Sequence, residues 1–155
     1  MEIDARRAYI DALKMLGRRE LSEAQVRQRL ARKEHEEAAI DEAVARLIED
    51  RAIDDTRVAA AIARTETSYR KRGKLRVKRK IESAGIASAT AKHAVDEVFG
   101  TIDGDALLES ALAKRLRSGG ISDDREFNRL YRYLVGQGFE SERVLARLKT
   151  LKSRR

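Results

Sequence analysis

The same apolar pattern returns three times along this chain at a spacing near fifty residues. Val26 and Leu30 recur as Val77 and Ile81 at an offset of 51, and Val44 and Leu47 recur as Val95 and Val98 at the same offset. The next offset is 53: Val77 to Leu130, Ile81 to Leu134, Gly85-Ile86 to Gly138-Phe139, Ser88 to Ser141 and Val95 to Leu148. A period of that length carrying one helical pattern means tandem units that cover one another's apolar faces. Proline is absent, and Ala, Leu, Arg and Glu dominate, which favours helix. The expectation is an all-α, elongated, curved array of three tandem three-helix, helix-turn-helix-like repeats, spanning residues 1–52, 53–102 and 103–155.

The punctuation agrees with the period. In the first unit, Tyr9, Ala12, Leu13 and Leu16 form a stripe that stops at Gly17. Ser22 with Gln25 three residues on makes a capping box, and a polar turn at 33–36 leads to a helix carrying Ile40, Ala43, Val44, Leu47 and Ile48 inward. In the second, Asp54 or Asp55 caps a helix with Val58, Ala59, Ile62 and Ala63. Gly73 opens the Val77/Ile81/Ala84 helix, Gly85-Ile86 ends it, and Ser88 caps the next. Gly100 and Gly104 mark a loop. In the third, Leu107, Leu108, Ala111, Leu112 and Leu116 share one helix, and 118–124 is a polar loop containing Gly119. Asp124 caps a helix with Phe127, Leu130, Tyr131 and Leu134, and Ser141 caps the last, with Val144, Leu145, Leu148 and Leu151. Residues 152–155 form a frayed basic tail.

Charge is unevenly spread over the units. Residues 1–53 carry 11 basic and 12 acidic groups, 54–103 carry 11 and 7, and 104–155 carry 12 and 7, for a net charge of +8. The densest stretch is Arg70-Lys71-Arg72-Gly73-Lys74-Leu75-Arg76-Val77-Lys78-Arg79-Lys80, with eight cations in eleven residues and no acid. Two readings stand. It is a solvated helix face, or it docks an anionic partner such as nucleic acid or an acidic protein groove. Arg125, Arg129, Arg132 and Arg143 offer a second basic set on the third unit. Tyr69 beside the run can stack on a base, but a lone aromatic more often packs in a core.

No catalytic constellation is legible. Cysteine is absent, which excludes disulfides and thiolate metal sites. His35 and His93 do not pair under the repeat and read as surface or packing residues. Asp54-Asp55 reads as a helix cap, because no third oxygen ligand is spaced nearby. Gly119-Gly120 lacks the strand and the Gly-Lys-Ser/Thr ending of a phosphate loop. No cofactor, no metal and no catalytic residue is expected. No apolar run approaches a membrane span, and Met1 to Asp4 is not followed by the apolar stretch of a signal peptide, so a cytoplasmic, monomeric, non-membrane protein is expected.

Several stretches resemble the RecX family of bacterial recombination regulators. In the first unit they are Ala12-Leu13, Leu16, Arg19-Glu20, Ser22-Glu23, Val26, Arg27, Leu30 and Lys33. The junction Ile53-Asp54-Asp55-x-Arg57 is similar to the family's most recognisable motif, and Gly73, Val77, Ile81 and Gly85-Ile86 follow it. In the third unit they are Tyr133-Leu134 and Gly138-Phe139. The resemblance covers about residues 8–150. Each motif is weak alone, but their order and spacing are specific together. Val58 stands where the family commonly has an aromatic, Lys80 where an acid is usual, Ala84 where Lys is frequent, and Gln137 where Arg is usual.

The resemblance implies a non-enzymatic protein that binds the RecA recombinase. It would lodge in the helical groove of the RecA–single-stranded-DNA filament and inhibit strand exchange, ATP hydrolysis and co-protease activity, within DNA repair and the SOS response. By charge density in the central unit, the expected contact with that filament comprises Arg70, Lys71, Arg72, Lys74, Arg76, Lys78, Arg79 and Lys80, with Arg125, Arg129, Arg132 and Arg143 as the alternative. Read without the resemblance, the residues leave two competitors: a nucleic-acid module that grips phosphates without reading bases, since the run holds no Asn or Gln, and a plain scaffold with a solvated basic face.

Overall fold

The structure, a computed structural model, describes residues 1–117 and 120–153. Ser118 and Gly119 of the expected polar loop, and Arg154 and Arg155 of the expected tail, lie outside the described residues. Every regular element among the described residues is helical: α1 Ile3–Leu16, α2 Glu23–Arg32, α3 Glu37–Glu49, α4 Asp55–Arg64, a π-helical turn Thr65–Tyr69, α5 Lys74–Ser83, α6 Ser88–Thr101, α7 Gly104–Ala113, α8 Asp124–Gly136 and α9 Ser141–Ser153.

The helices group in threes around separate apolar clusters. Val26, Leu30, Val44 and Leu47 centre the first, Val77, Ile81, Ala91 and Val95 the second, and Leu112, Leu130, Leu134 and Leu148 the third. Phe99 packs against both the second and the third clusters. The chain exposes 9803 Å², about a quarter more than the ~7,900 Å² of a compact monomer of its mass. Three small cores in series leave more surface than one large one.

Local chemistry sets the helix starts. Ser22 accepts from the Gln25 N–H while Gln25 returns a bond to the Ser22 N–H, a complete capping box. Leu21 and Val26, just before the cap and at the fourth helical position, are both buried in the first core, as in a hydrophobic staple. Asp54 caps α4 by accepting from Arg57 N–H at 3.2 Å.

The structure departs from the sequence reading at several positions. Leu13 and Ile48 are exposed; α1 buries Ala5 and Ala8 along with the expected Ala12, while Tyr9 and Leu16 pack against the first core. Asp123, not Asp124, caps α8, accepting from Glu126 N–H at 2.8 Å. Ser88 lies inside α6, one residue past the N-cap position held by Ala87. Gly100 is within α6 and Gly104 opens α7 rather than marking a loop. Leu116 lies beyond the end of α7. Ile121, in the stretch read as a polar loop, is fully buried.

The turn between the second and third helices recurs in each unit. Glu34, Gly85 and Gly138 occupy equivalent places with φ of 65°, 79° and 100°. In the first and third units His35 N–H reaches the Leu30 carbonyl and Phe139 N–H reaches the Leu134 carbonyl, the six-to-one bond of a Schellman ending. The residue identity follows from what covers each turn. A Cβ on Gly85 would strike the Ala24 Cβ, and one on Gly138 would strike the Arg76 Cβ and backbone. Each of these glycines is pressed against the preceding unit. Glu34 is exposed, so a side chain fits there.

Candidate partner-binding interface

The basic run begins as a junction. Helix α4 passes into the π-helical turn, whose Arg70 N–H donates to the Thr65 carbonyl at 3.1 Å. Lys71 then adopts φ 56°, and Gly73 stands before α5 with no side-chain cap. The N–H groups at the start of a helix need partners. The third unit supplies them: Gly73 N–H donates to the Gln137 carbonyl at 2.9 Å and Leu75 N–H to the Gly138 carbonyl at 3.1 Å. The unpaired carbonyls ending α8 thus satisfy the unpaired donors starting α5, with the two helix dipoles meeting at opposite poles.

Arg72 and Arg76 join the same contact. Arg72 Nη1 donates to Gln137 Oε1 at 2.8 Å, and Arg76 Nη1 to the Gly136 carbonyl at 3.1 Å. Two of the twelve basic residues singled out from the sequence therefore hold the second and third units together. The first junction is built alike. Ser22 Oγ donates to the buried Ala84 carbonyl, Glu23 N–H donates to Asp55 Oδ1 at 2.9 Å, and Arg57 pairs with Glu20 while reaching the Arg51 carbonyl at 3.1 Å.

The other cations of the run face outward or sideways. Lys74, Arg79 and Lys80 are exposed, and Lys71 and Lys78 are half-buried. Lys74 Nζ lies 5.7 Å above the Phe99 ring, Lys78 pairs with Glu82 at 3.5 Å, and Arg70 pairs with buried Glu66 at 3.7 Å. Arg79 and Lys80 make no ion pair among the described residues. Tyr69 is 85 % exposed and Leu75 is 50 % exposed. Tyr69 is therefore not a core residue, against the sequence reading: the π-helical turn carries its ring into solvent beside the cations.

The third-unit arginines are a separate set. Arg125, Arg129 and Arg132 fall on one face of α8 by helical spacing. Arg125 lies at the far end of α8, roughly 16 Å along the axis from the Gly136 contact with α5. Arg129 Nη2 donates to the Arg115 carbonyl at 3.3 Å and lies 3.5 Å from Glu126. Arg143 lies 3.6 Å from Asp105. Arg125 and Arg132 are exposed.

One basic feature escaped the sequence. Helices α1 and α2 enclose an open cavity of about 500 Å³ lined by Lys14, Arg18, Arg19, Arg29, Arg32 and Lys33, with Asp11 and Met15. The first third of the chain is close to neutral, and only folding gathers its cations on one side. Asp11 is engaged by His35, whose Nε2 lies 2.7 Å from Asp11 Oδ2. That hydrogen bond holds the Asp11 carboxyl below its ordinary value, with Lys33 and Lys14 adding to the effect. His93 pairs with Glu97 at 3.2 Å on the surface. Among the described residues no group of His, Cys, Asp and Glu is arranged to hold a metal ion, and no helix is long and apolar enough to cross a membrane.

Comparison with known proteins agrees with this architecture. Residues 8–47 match the family model of the first three-helix domain of RecX. A crystal structure of RecX from Lactobacillus salivarius superposes with a TM-score of 0.78 at 23 % identity, covering 95 % of this chain and 97 % of that one. A crystal structure of a regulatory protein RecX superposes with a TM-score of 0.82 at 20 % identity, covering 95 % of this chain and 72 % of that one. No curated protein sequence matches the chain. Residues 8–47 are thus similar to the first three-helix domain of RecX, and the chain shares the fold of the two RecX crystal structures across all three units.

Proposed function

We propose that the chain is a RecX-type regulator that binds the RecA–single-stranded-DNA filament in its helical groove. There it inhibits recombination, ATP hydrolysis and co-protease activity, acting as a cytoplasmic monomer that binds rather than catalyses. The observation that carries this reading is an extended three-unit array of RecX fold whose central unit presents unpaired Arg79 and Lys80, with Lys71, Lys74, Tyr69 and Leu75, toward solvent. An array of units in series can touch successive subunits of a filament. Its cations meet a lattice containing DNA phosphates, and an exposed aromatic with an aliphatic neighbour adds contact area that bare electrostatics lacks.

The test is RecA's ATP hydrolysis on single-stranded DNA, measured with increasing amounts of this protein, together with co-sedimentation against the RecA filament and against bare DNA. Inhibition with preferential filament binding is expected. Binding to bare DNA alone, without inhibition, would instead favour the nucleic-acid module, for which exposed Tyr69 beside the basic run is the supporting observation.

A further inference from the structure

The cavity between α1 and α2 is not used by the junctions, nor by the basic face of α5. Elsewhere some cations are matched, among them Arg27 with Asp41, Arg46 with Asp50, Lys92 with Asp96 and Arg147 with Glu109. In the cavity they are not. None of Lys14, Arg18, Arg19, Arg29, Arg32 and Lys33 has an ion pair or a side-chain hydrogen bond among the described residues. The one lining carboxylate, Asp11, is turned to His35 at 2.7 Å.

Nor is this charge a by-product of the repeat. Positions 51 residues further on hold Thr65, Tyr69, Arg70, Lys80, Ser83 and Ala84, two cations against six. A sphere of 500 Å³ is about 10 Å across, comparable to the ~8 Å screening length at physiological salt, so these charges act on one another and on any shared ligand. Gathering six like charges around one space is unfavourable until an anion enters it.

We infer that this cavity binds a condensed phosphate, a short phosphoanhydride chain either free or as the tail of a nucleoside triphosphate. Charge density selects this ligand. A nucleic-acid strand carries one charge per nucleotide, and most of what it would place in the cavity is sugar and base. The lining contains no aromatic ring to receive a base. A condensed phosphate concentrates several charges in a small volume with many acceptor oxygens, suited to arginine forks and lysine point charges. The site is thus blind to the nucleoside. It is independent of the filament reading and uses different residues.

Calorimetric titration of the full chain at ~150 mM salt tests it, with sodium tripolyphosphate, ATP and a thymidine oligonucleotide as probes. Tripolyphosphate and ATP are expected to bind within about threefold of each other. The double variant Arg29→Ala/Arg32→Ala is expected to weaken both at least ~10-fold, and Arg79→Ala/Lys80→Ala to change them less than ~2-fold. Lys14→Ala/Arg18→Ala on the opposite wall should repeat the loss, which keeps the test open if the first variant folds poorly. Failure of tripolyphosphate to bind overturns the inference, as does binding insensitive to both cavity variants. ATP binding much more tightly than tripolyphosphate would show recognition of the nucleoside and also overturn it. An oligonucleotide that displaces tripolyphosphate and is itself weakened by the cavity variants would make the cavity a strand contact instead.

Discussion

Gly73 and Gly138 face each other across the junction of the second and third units. A Cβ on Gly73 would lie 2.5 Å from the Gly138 carbonyl carbon and 2.6 Å from its oxygen. The backbones approach this closely because the donors opening α5 bond the carbonyls closing α8.

Gly73→Ala should therefore loosen the third unit specifically. The clash is with backbone, which cannot swing aside, and overpacking of this kind costs about 1–3 kcal/mol. In an array stabilised by nearest-neighbour contacts, weakening one junction uncouples what lies beyond it. Thermal denaturation followed by circular dichroism should broaden or split into two steps. A single transition at the wild-type temperature would contradict the junction.

Gly85→Val should destabilise strongly, since Gly85 is at φ 79° and its Cβ would meet Ala24. The strain of the left-handed conformation alone costs about 1–2 kcal/mol, and the β-branch adds to the clash. Gly100→Ala is the contrast. It sits within α6 with nothing within 4 Å of its Cβ, so it should gain about 0.5–1 kcal/mol. Urea titration of the two variants should move the midpoints in opposite directions.

Ser22→Ala removes two bonds at once: the cap to Gln25 N–H at 3.2 Å and the buried donation to the Ala84 carbonyl. A cap is worth about 1 kcal/mol and an orphaned buried carbonyl about 1–3 kcal/mol. Asp103→Ala removes only a cap, from Asp105 and Ala106 N–H, and should cost about 1 kcal/mol. Equal losses in chemical denaturation would mean that the Ser22–Ala84 bond contributes nothing.

These positions also mark what was legible beforehand. Ser22, Gln25, Asp54, Gly85 and Gly138 carry their conformations in their own chemistry, so local rules find them. On α1 the stripe of Tyr9, Ala12 and Leu16 was legible, but Ala5 and Ala8 were passed over and Leu13 was taken in, because leucine outweighs alanine in any apolar pattern. Of two adjacent aspartates only geometry chooses Asp123 over Asp124. Tyr69 was read as a core residue because a lone aromatic more often is one, and nothing in the sequence marks the π-helical turn that carries its ring into solvent. For the candidate interface, the run itself was plain. Its division was not, since Arg72 and Arg76 meet partners 65 and 60 residues away. The α1–α2 cavity was invisible to charge counting, because acids elsewhere in the first unit cancel its cations.

The Asp11–His35 bond makes an acid-range prediction. The folded carboxyl sits below its ordinary value, chiefly through the His35 hydrogen bond. A depressed carboxyl contributes stability above the unfolded value near pH 4 and loses it as pH falls through the folded value. The stability gap between wild type and Asp11→Asn should thus be full at pH 6 and close progressively below about pH 4. A gap that stays constant down to pH 2 would mean that the ionised carboxylate is not what His35 stabilises.

The last prediction separates binding from folding on α5. Lys78→Ala, Arg79→Ala and Lys80→Ala together remove three cations without touching Val77 or Ile81, which are fully buried. Among the described residues the only ion pair lost is Lys78–Glu82 at 3.5 Å, a surface i,i+4 contact worth about 0.3–0.5 kcal/mol, and alanine returns helix propensity. The melting temperature should stay near wild type, whereas reversing Arg72 would break its bond to Gln137 and lower it. Against the RecA–DNA filament the triple variant should bind more weakly. If the lost contacts are to phosphates, the salt dependence should flatten by about 0.7 in log–log slope per contact on single strands. If they are to acidic side chains of the recombinase, filament affinity falls while bare-DNA binding keeps its slope. Adding Tyr69→Ala should cost a further 1–3 kcal/mol or so if the ring stacks on a base, and nothing on bare DNA if it packs on protein. A triple variant that inhibits ATP hydrolysis at wild-type concentrations would leave this face of α5 as solvated surface and move the search to Arg125 and Arg132.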